Sequence, residues 1–220
     1  LVITPSLLIT AVGCAPVAAH DFAGPIQEAC DLFGIGTALR LPAFLAQTGH
    51  ESGGFAHLVE NLSYRRETLQ RVAKASPAGS RWRSILPDAA KLAHSPMALA
   101  EAVYMGRMGN TIAGDGYKFR GRGLIQTTGR ANYEALTEGL AAKLGAVPDF
   151  TLHPDLLEHP RWAALAAGYF WDSHDLNADA DAGRFDRITQ TINGGQNGRM
   201  DRRERWARAR EALQAETVAA

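Results

Sequence analysis

The sequence predicts a mainly α-helical domain with a small β-hairpin. Three observations lead there. Apolar residues recur at helical spacing along most of the chain, prolines and glycines punctuate the ends of those stretches, and only two short segments resemble strands. With 220 residues, 46% of them hydrophobic and 21% charged, the chain can bury a proper core and is neither collagenous nor wholly disordered. One domain covering residues 1–220 is expected, with residues 61–110 a candidate helical lobe.

The elements follow in order. Thr4 and Pro5 suit an N-cap and first helical position. The rival for this apolar stretch is a signal peptide, with Leu7–Val12 as its core and Val17-Ala18-Ala19 as its cleavage site. No Lys or Arg precedes Arg40, so the positive leader is missing and a helix is favoured. Phe22, Ile26, Ala29, Cys30 and Phe33 form one helical stripe. Pro25 kinks that helix or marks its start, and Gly34 and Gly36 stop it. A helix from about Pro42 to Ser52 ends at Gly53-Gly54. Ser95-Pro96 opens another through Met97, Ala100, Val103 and Tyr104 to about Met108. Asn132 to Lys143, Arg161 to Trp171 and Asp201 to Ala215 complete the helices. Tyr117–Arg120 and Leu124–Thr128 are the strand candidates, short and broken by glycine. No apolar run reaches the roughly 20 residues of a membrane span.

Lys+Arg and Asp+Glu number 23 each, which argues against a polyanion-binding design over the whole molecule. Charge is local: −4 over residues 1–60, +6 over 61–150 and −2 over 151–220. Residues 196–210 hold six arginines against Asp201 and Glu204. The favoured reading is a solvated face laced with i,i+3 and i,i+4 ion pairs; the sharper one is a contact for an acidic polymer or an anionic membrane. Cys14 and Cys30 make no disulfide scaffold and have no metal-ligand spacing, so both are expected reduced and packed.

Four blocks could carry chemistry. His50-Glu51 begins like a zinc-protease motif, but the second histidine position is Gly54, so no metal is expected. Glu51 ends a helix, and both the negative helix end and partial burial favour the uncharged carboxyl that a general acid needs. Glu60, past the double glycine in Val59-Glu60-Asn61-Leu62-Ser63-Tyr64, could face it across a groove. On spacing alone the favoured reading of Glu51 is a helix-end residue in a salt bridge, and that of Glu60 a solvent-exposed residue at a helix start. In the third block, Tyr117 to Tyr133, Gly121 and Gly123 let backbone approach a ligand, and Gln126, Thr128 and Asn132 offer groups for sugar hydroxyls or a water. The dinucleotide and phosphate-loop patterns are incomplete there, and Arg120 and Arg122 are too few to indicate nucleic acid. The fourth block, Thr191 to Gly198, reads as a plain turn or as a wall of amides for N-acetyl groups.

Taken in order, FLAQTGHESGGF (44–55), LVENLSY (58–64), MGN followed by GDGYKFRGRGLIQTTGRANY (108–133) and TINGGQNGRMDRRERW (191–206) resemble glycoside hydrolase family 19. This is the chitinase-like group of the lysozyme superfamily, and the likeness is greatest to its bacteriophage and prophage endolysin branch. It spans residues 3 to 210 approximately.

The resemblance implies a lysozyme-like helical fold and an inverting glycosidase that uses no metal or cofactor. It assigns Glu51 as general acid, Glu60 as the base that activates water, and Thr128 as the hydroxyl that holds that water. Plant chitinases of the family place a serine there. His50 and Ser52 flank and orient the acid, while Tyr64, Gln126, Asn132, Tyr133 and Asn193 fall at substrate-groove positions. Inversion asks for carboxyls about 6.5–9.5 Å apart. The missing plant disulfides suit a bacterial or phage source.

The implied substrate is the β-1,4-linked glycan of peptidoglycan. Alternatives are a chitinase acting on N-acetylglucosamine polymers and, less favoured, a non-catalytic wall-binding module. The implied partners are peptidoglycan strands and, through the arginine-rich helix, an outer membrane. Nucleic acid is not expected, and the protein is expected to be a monomer. It would wait in the host cytoplasm until lysis and then act on the periplasmic wall.

Overall fold

A computed structural model describes residues 2–219. The first helix, α1 (Pro5–Val12), starts where Thr4 Oγ1 accepts the Leu7 N–H at 3.1 Å and ends at left-handed Gly13. The second, α2 (Pro16–Phe33), continues straight through Pro25 and buries the stripe from Phe22 to Phe33. The third, α3 (Arg40–Glu51), is buried on every side from Leu41 to Gly49, the pattern of a central helix.

Residues 52–65 lead away from this core into a group of short helices: α4 (Arg66–Ala75), α5 (Arg81–Ser84), α6 (Ala89–Leu92) and α7 (Pro96–Tyr104). Leu62, Leu69, Ala73, Ile85, Ala89, Leu99, Ala100 and Val103 form a hydrophobic cluster of their own there, separate from the main one.

The chain returns through α8 (Asp115–Lys118), α9 (Arg130–Leu144) and α10 (Pro160–Ser173). Helix α10 lies along α2. A Cβ at Gly168 would sit 2.4 Å from the Phe33 ring, so the glycine sets that approach. After α11 (Leu176–Asp181) and α12 (Phe185–Asn193), the last helix, α13 (Arg199–Ala219), packs across α3 and α1. Ala209 and Leu213 anchor it in the core, and Trp206 stacks on Phe185 at 4.5 Å. Cys14 and Cys30 are free and buried.

The expected hairpin is absent among the described residues. Tyr117 and Lys118 belong to a short helix, and 124–128 is a loop. Among the described residues the only pairings are single bridges, Val59 with Arg122 and Arg122 with Thr127. Positive φ at Gly123 (+81°) and Gln126 (+56°) rules out an extended run through this segment. What looked like two strands is a tight loop closed by reciprocal Arg122–Thr127 hydrogen bonds of 3.1 and 2.8 Å.

Candidate active site

Glu51 is the last residue of α3, and its side chain is 20% exposed. Its carboxylate is bonded by Nη2 of Arg202, an arginine of α13 that is only 1% exposed. The same guanidinium donates through Nη1 to Gln47 Oε1 at 2.6 Å and through Nε to the Asn197 carbonyl at 3.2 Å. Gln47 Nε2 in turn donates to Thr189 Oγ1 at 2.8 Å. A buried cation is tolerated only when paired and hydrogen-bonded. The row Thr189–Gln47–Arg202–Glu51 meets that condition and ties three helices to one carboxylate. The salt bridge that is the bland reading of a helix-end glutamate is present, with Arg202 as its cation.

The neighbouring His50 shares a 2.6 Å hydrogen bond between Nδ1 and Asp201 Oδ2, and Asp201 also accepts from Arg205 Nε at 2.7 Å. Burial works to raise the Asp201 pKa, but His50 and Arg205 outweigh it and hold the carboxyl below its ordinary range. The 194–198 turn closes directly over the imidazole. A Cβ at Gly198, whose φ is +69°, would lie 2.2 Å from His50 Cε1. On the other side of Glu51, Ser52 is fully buried. Its Oγ donates to the Thr48 carbonyl at 2.6 Å and accepts the Phe55 N–H at 2.9 Å. Ser52 thus shapes the turn that carries the chain out of α3.

That turn delivers Glu60 to a different setting. Its N–H donates to the Gly121 carbonyl at 2.9 Å, and its Oε2 accepts the Gly121 N–H at 3.3 Å. Its Oε1 accepts the Tyr104 hydroxyl at 2.6 Å. Burial, then the charge of Glu60, push the Tyr104 phenol far above its ordinary value. The same two causes, in the same order, raise Tyr64. Both phenols therefore remain protonated around Glu60.

Thr128 reaches Glu60's surroundings through Gly121. A Cβ on that glycine would lie 2.6 Å from Gln126 Oε1 and 3.3 Å from Thr128 Oγ1. Thr128 Oγ1 donates to the Gln126 carbonyl at 2.8 Å, and Asn132 Nδ2 donates to the Thr128 carbonyl at 2.7 Å. Beside them opens a pocket of about 350 Å³, walled also by Tyr169, Phe170 and His174. Asn193 ends α12 with its Nδ2 buried and without a hydrogen-bond partner, an unmet donor of the kind a ligand satisfies. No group of three or more His, Cys, Asp or Glu among the described residues is arranged to hold a metal ion.

No family model matches the chain. Over 171 residues, 76% of each protein, it is 36% identical to a glycosyl hydrolase family 19 domain-containing protein of Haemophilus influenzae. The chain belongs to glycoside hydrolase family 19. Solved structures share its fold: chitinase C of Streptomyces griseus (TM-score 0.60, 16% identity, 97% of this chain and 93% of that one) and a bacterial family 19 chitinase (TM-score 0.59, 19% identity, 97% and 95%).

In this family 19 glycoside hydrolase the sequence-predicted residues form two groups. His50, Glu51 and Ser52 sit with α13; Glu60, Gln126 and Thr128 meet around Gly121, with Tyr64 and Asn132 beside them. Tyr133 does not line the pocket. It is fully buried, its hydroxyl donating to the Arg120 carbonyl at 2.9 Å and accepting from Arg122 Nη1 at 3.1 Å. One residue past Asn132 on a helix is about 100° further round, which turns Tyr133 into the core. Ser52 is likewise closed to a ligand. Three contributors went unnoticed in the sequence: Arg202, Gln47 and Tyr104. A glutamine on the buried face of α3 was the one local signal, since a buried amide needs a partner.

The arginines of α13 are largely engaged inside the protein. Arg199 and Arg203 both hold Asp186, Arg202 holds Glu51, and Arg205 holds Asp201 and the Val12 carbonyl. Only the Arg205–Asp201 pair has the i,i+4 spacing expected on a single helix face.

Proposed function

We propose that this family 19 enzyme is an endolysin that hydrolyses β-1,4-glycosidic bonds of bacterial peptidoglycan with inversion. Glu51 donates a proton to the glycosidic oxygen as the bond breaks. Glu60 takes a proton from the water that attacks the opposite face of the sugar, and Thr128 positions that water. The observation that carries this reading is the contrast between the two carboxylates. Glu51 is set by a buried guanidinium of α13, while Glu60 is set by a phenol and a backbone N–H next to the Gln126–Thr128 turn. Two carboxyls, each positioned by its own donors, are what an inverting acid–base pair requires. Gln126, Asn132 and the unmet amide of Asn193 supply donors for N-acetyl and hydroxyl groups.

The reading makes peptidoglycan strands the partner, with the enzyme a monomer held in the host cytoplasm until lysis. Chitin is the second candidate substrate, favoured by the likeness in fold to bacterial chitinases. Purified sacculi and colloidal chitin, assayed side by side for reducing ends, separate the two. Mass spectrometry of the released muropeptides identifies the bond cut. Release from chitin alone rejects the endolysin reading.

A further inference from the structure

The chain carries equal numbers of positive and negative side chains, yet its unpaired cations are confined to one region. Among the described residues, the Lys and Arg side chains with no hydrogen bond, ion pair or ring contact are Arg65, Arg66, Arg71, Lys74, Arg81 and Arg107. All six lie in the α4–α7 region. Residues 61–110 hold eight Lys and Arg against three Asp and Glu. One of those acids, Glu101, is occupied by the N–H groups of Gly114 and Tyr117, and another, Asp88, by Lys91. The arginine-rich α13, the obvious basic element in the sequence, is by contrast largely consumed by internal contacts.

Two of the free arginines lie at the turn that follows Tyr104, the phenol bonded to Glu60. Tyr104, which bonds Glu60, is followed by a turn closed by Gly106 N–H to the Asn110 carbonyl at 2.8 Å and Asn110 N–H to the Arg107 carbonyl at 2.9 Å. This turn holds Arg107 three residues from the phenol, close enough for its charge to act on Tyr104. Arg81 extends to the same turn, its Nη2 3.9 Å from where a Gly106 Cβ would be. The adjacent Trp82 packs edge-on against Tyr64 at 6.0 Å. The result is an edge that brings aromatic rings and uncommitted, exposed guanidinium groups to the turn after Tyr104, whose hydroxyl bonds Glu60.

We infer that Arg81 and Arg107 form an anion-reading edge that binds the free carboxylates of the stem peptides carried by the glycan strand of peptidoglycan. The inference rests on the peptidoglycan reading and deepens it. An uncharged chitin chain offers these arginines nothing to pair with. A strand with a carboxylate-bearing stem peptide on alternate sugars offers one repeatedly, and guanidinium matches a carboxylate in a two-point fork. Each such pair at an exposed site strengthens binding about two- to fivefold and weakens with salt.

The test compares wild type with Arg81→Gln, Arg107→Gln and the double variant on purified sacculi and on chitohexaose across a sodium chloride series. The expected result on sacculi is a rise in KM of about two- to fivefold per arginine at low salt, with kcat retained. The effect fades at high salt, Arg→Lys restores part of it, and chitohexaose shows a smaller change. Equal changes on both substrates, or an unchanged KM on sacculi, overturn the inference. So does loss of binding to anionic lipid vesicles with the sacculus KM intact. Should wild type release nothing from sacculi, the endolysin reading fails. The edge is then judged by co-sedimentation of the Glu51→Gln protein with sacculi, where undiminished binding after removal of both arginines overturns it.

Discussion

Arg202 spans from the last helix to the third, joining the carboxylate of Glu51 to the amide of Gln47 through the two ends of one buried guanidinium. Replacing it leaves an acid and an amide oxygen without their cation. Arg202→Ala should lower stability by about 3–5 kcal/mol, the cost of breaking a buried pair from one side. Arg202→Lys, which cannot fork to both partners, should fold better yet turn over slowly. Urea melts and reducing-end assays measure the two effects. An Arg202→Ala protein with wild-type stability would show that this row of contacts contributes nothing.

The two glutamates should differ in sensitivity. Glu51→Gln removes the proton donor and should cut kcat about 10²–10⁴-fold while far-UV circular dichroism stays helical. Glu60→Gln should lose less, because water can be activated by other routes. A wild-type lytic rate from Glu51→Gln contradicts the assignment outright, and an unchanged rate from Glu60→Gln points to another base.

Tyr104→Phe deletes a hydroxyl that donates to Glu60 at 2.6 Å and changes little else. A hydrogen bond to a charged group contributes about 1.5–3 kcal/mol, so kcat should fall roughly tenfold or more if the bond orients the base. Steady-state kinetics on a soluble glycan decides. Unaltered kcat means that the backbone N–H of Gly121 suffices.

Gly198→Ala places a methyl group inside the His50 ring and forces an alanine to φ +69°. The turn must lift or the imidazole must swing away from Asp201. Activity should drop with only modest loss of thermal stability, and the His50 resonances in an NMR spectrum should move. A spectrum identical to wild type would mean the turn shifts freely.

Acid should unfold the protein in a definite window. Hydrogen bonds from Arg203 and Arg199 pull Asp186 from its ordinary 3.8 to about 2. A hydrogen bond from Arg130, helped by the N–H groups of Ile112 and Thr111, lowers Asp115, which is only 3% exposed. Both carboxyls titrate lower in the folded chain than in the unfolded one. The stability they confer is therefore present above about pH 4 and drains away as pH falls toward 2. Urea midpoints at pH 5, 3.5 and 2.5 should decline in that order, with a shallower decline for Asp115→Asn. A flat profile excludes these pairs as the acid-labile contacts.

The helices legible in the sequence were those with local signals: the Thr4 cap, the Phe22–Phe33 stripe, the glycine stops after α3. Residues 117–120 and 124–128 misread as a hairpin because short runs with aromatic and β-branched residues lie between glycines, while the positive φ at Gln126, a non-glycine, leaves no mark in the sequence. The glutamates and the Gln126–Thr128 pair stood in recognisable motifs. Their supports did not, because Arg202 meets Glu51 across 151 positions and Tyr104 meets Glu60 across 44. Contacts at such separation are made by packing of distant segments, and no window of neighbouring residues contains them.

With Glu51 as the proposed acid, the placement of Arg202 should also time the appearance of activity. Synthesis proceeds from the N-terminus, so Glu51 and its whole helix emerge from the ribosome long before the segment that supplies their cation. A nascent chain, or one cut ahead of α13, carries both glutamates and lacks the clamp that sets the first of them. Such fragments should be harmless to a producing cell, and cleavage competence should switch on only when the final helix docks.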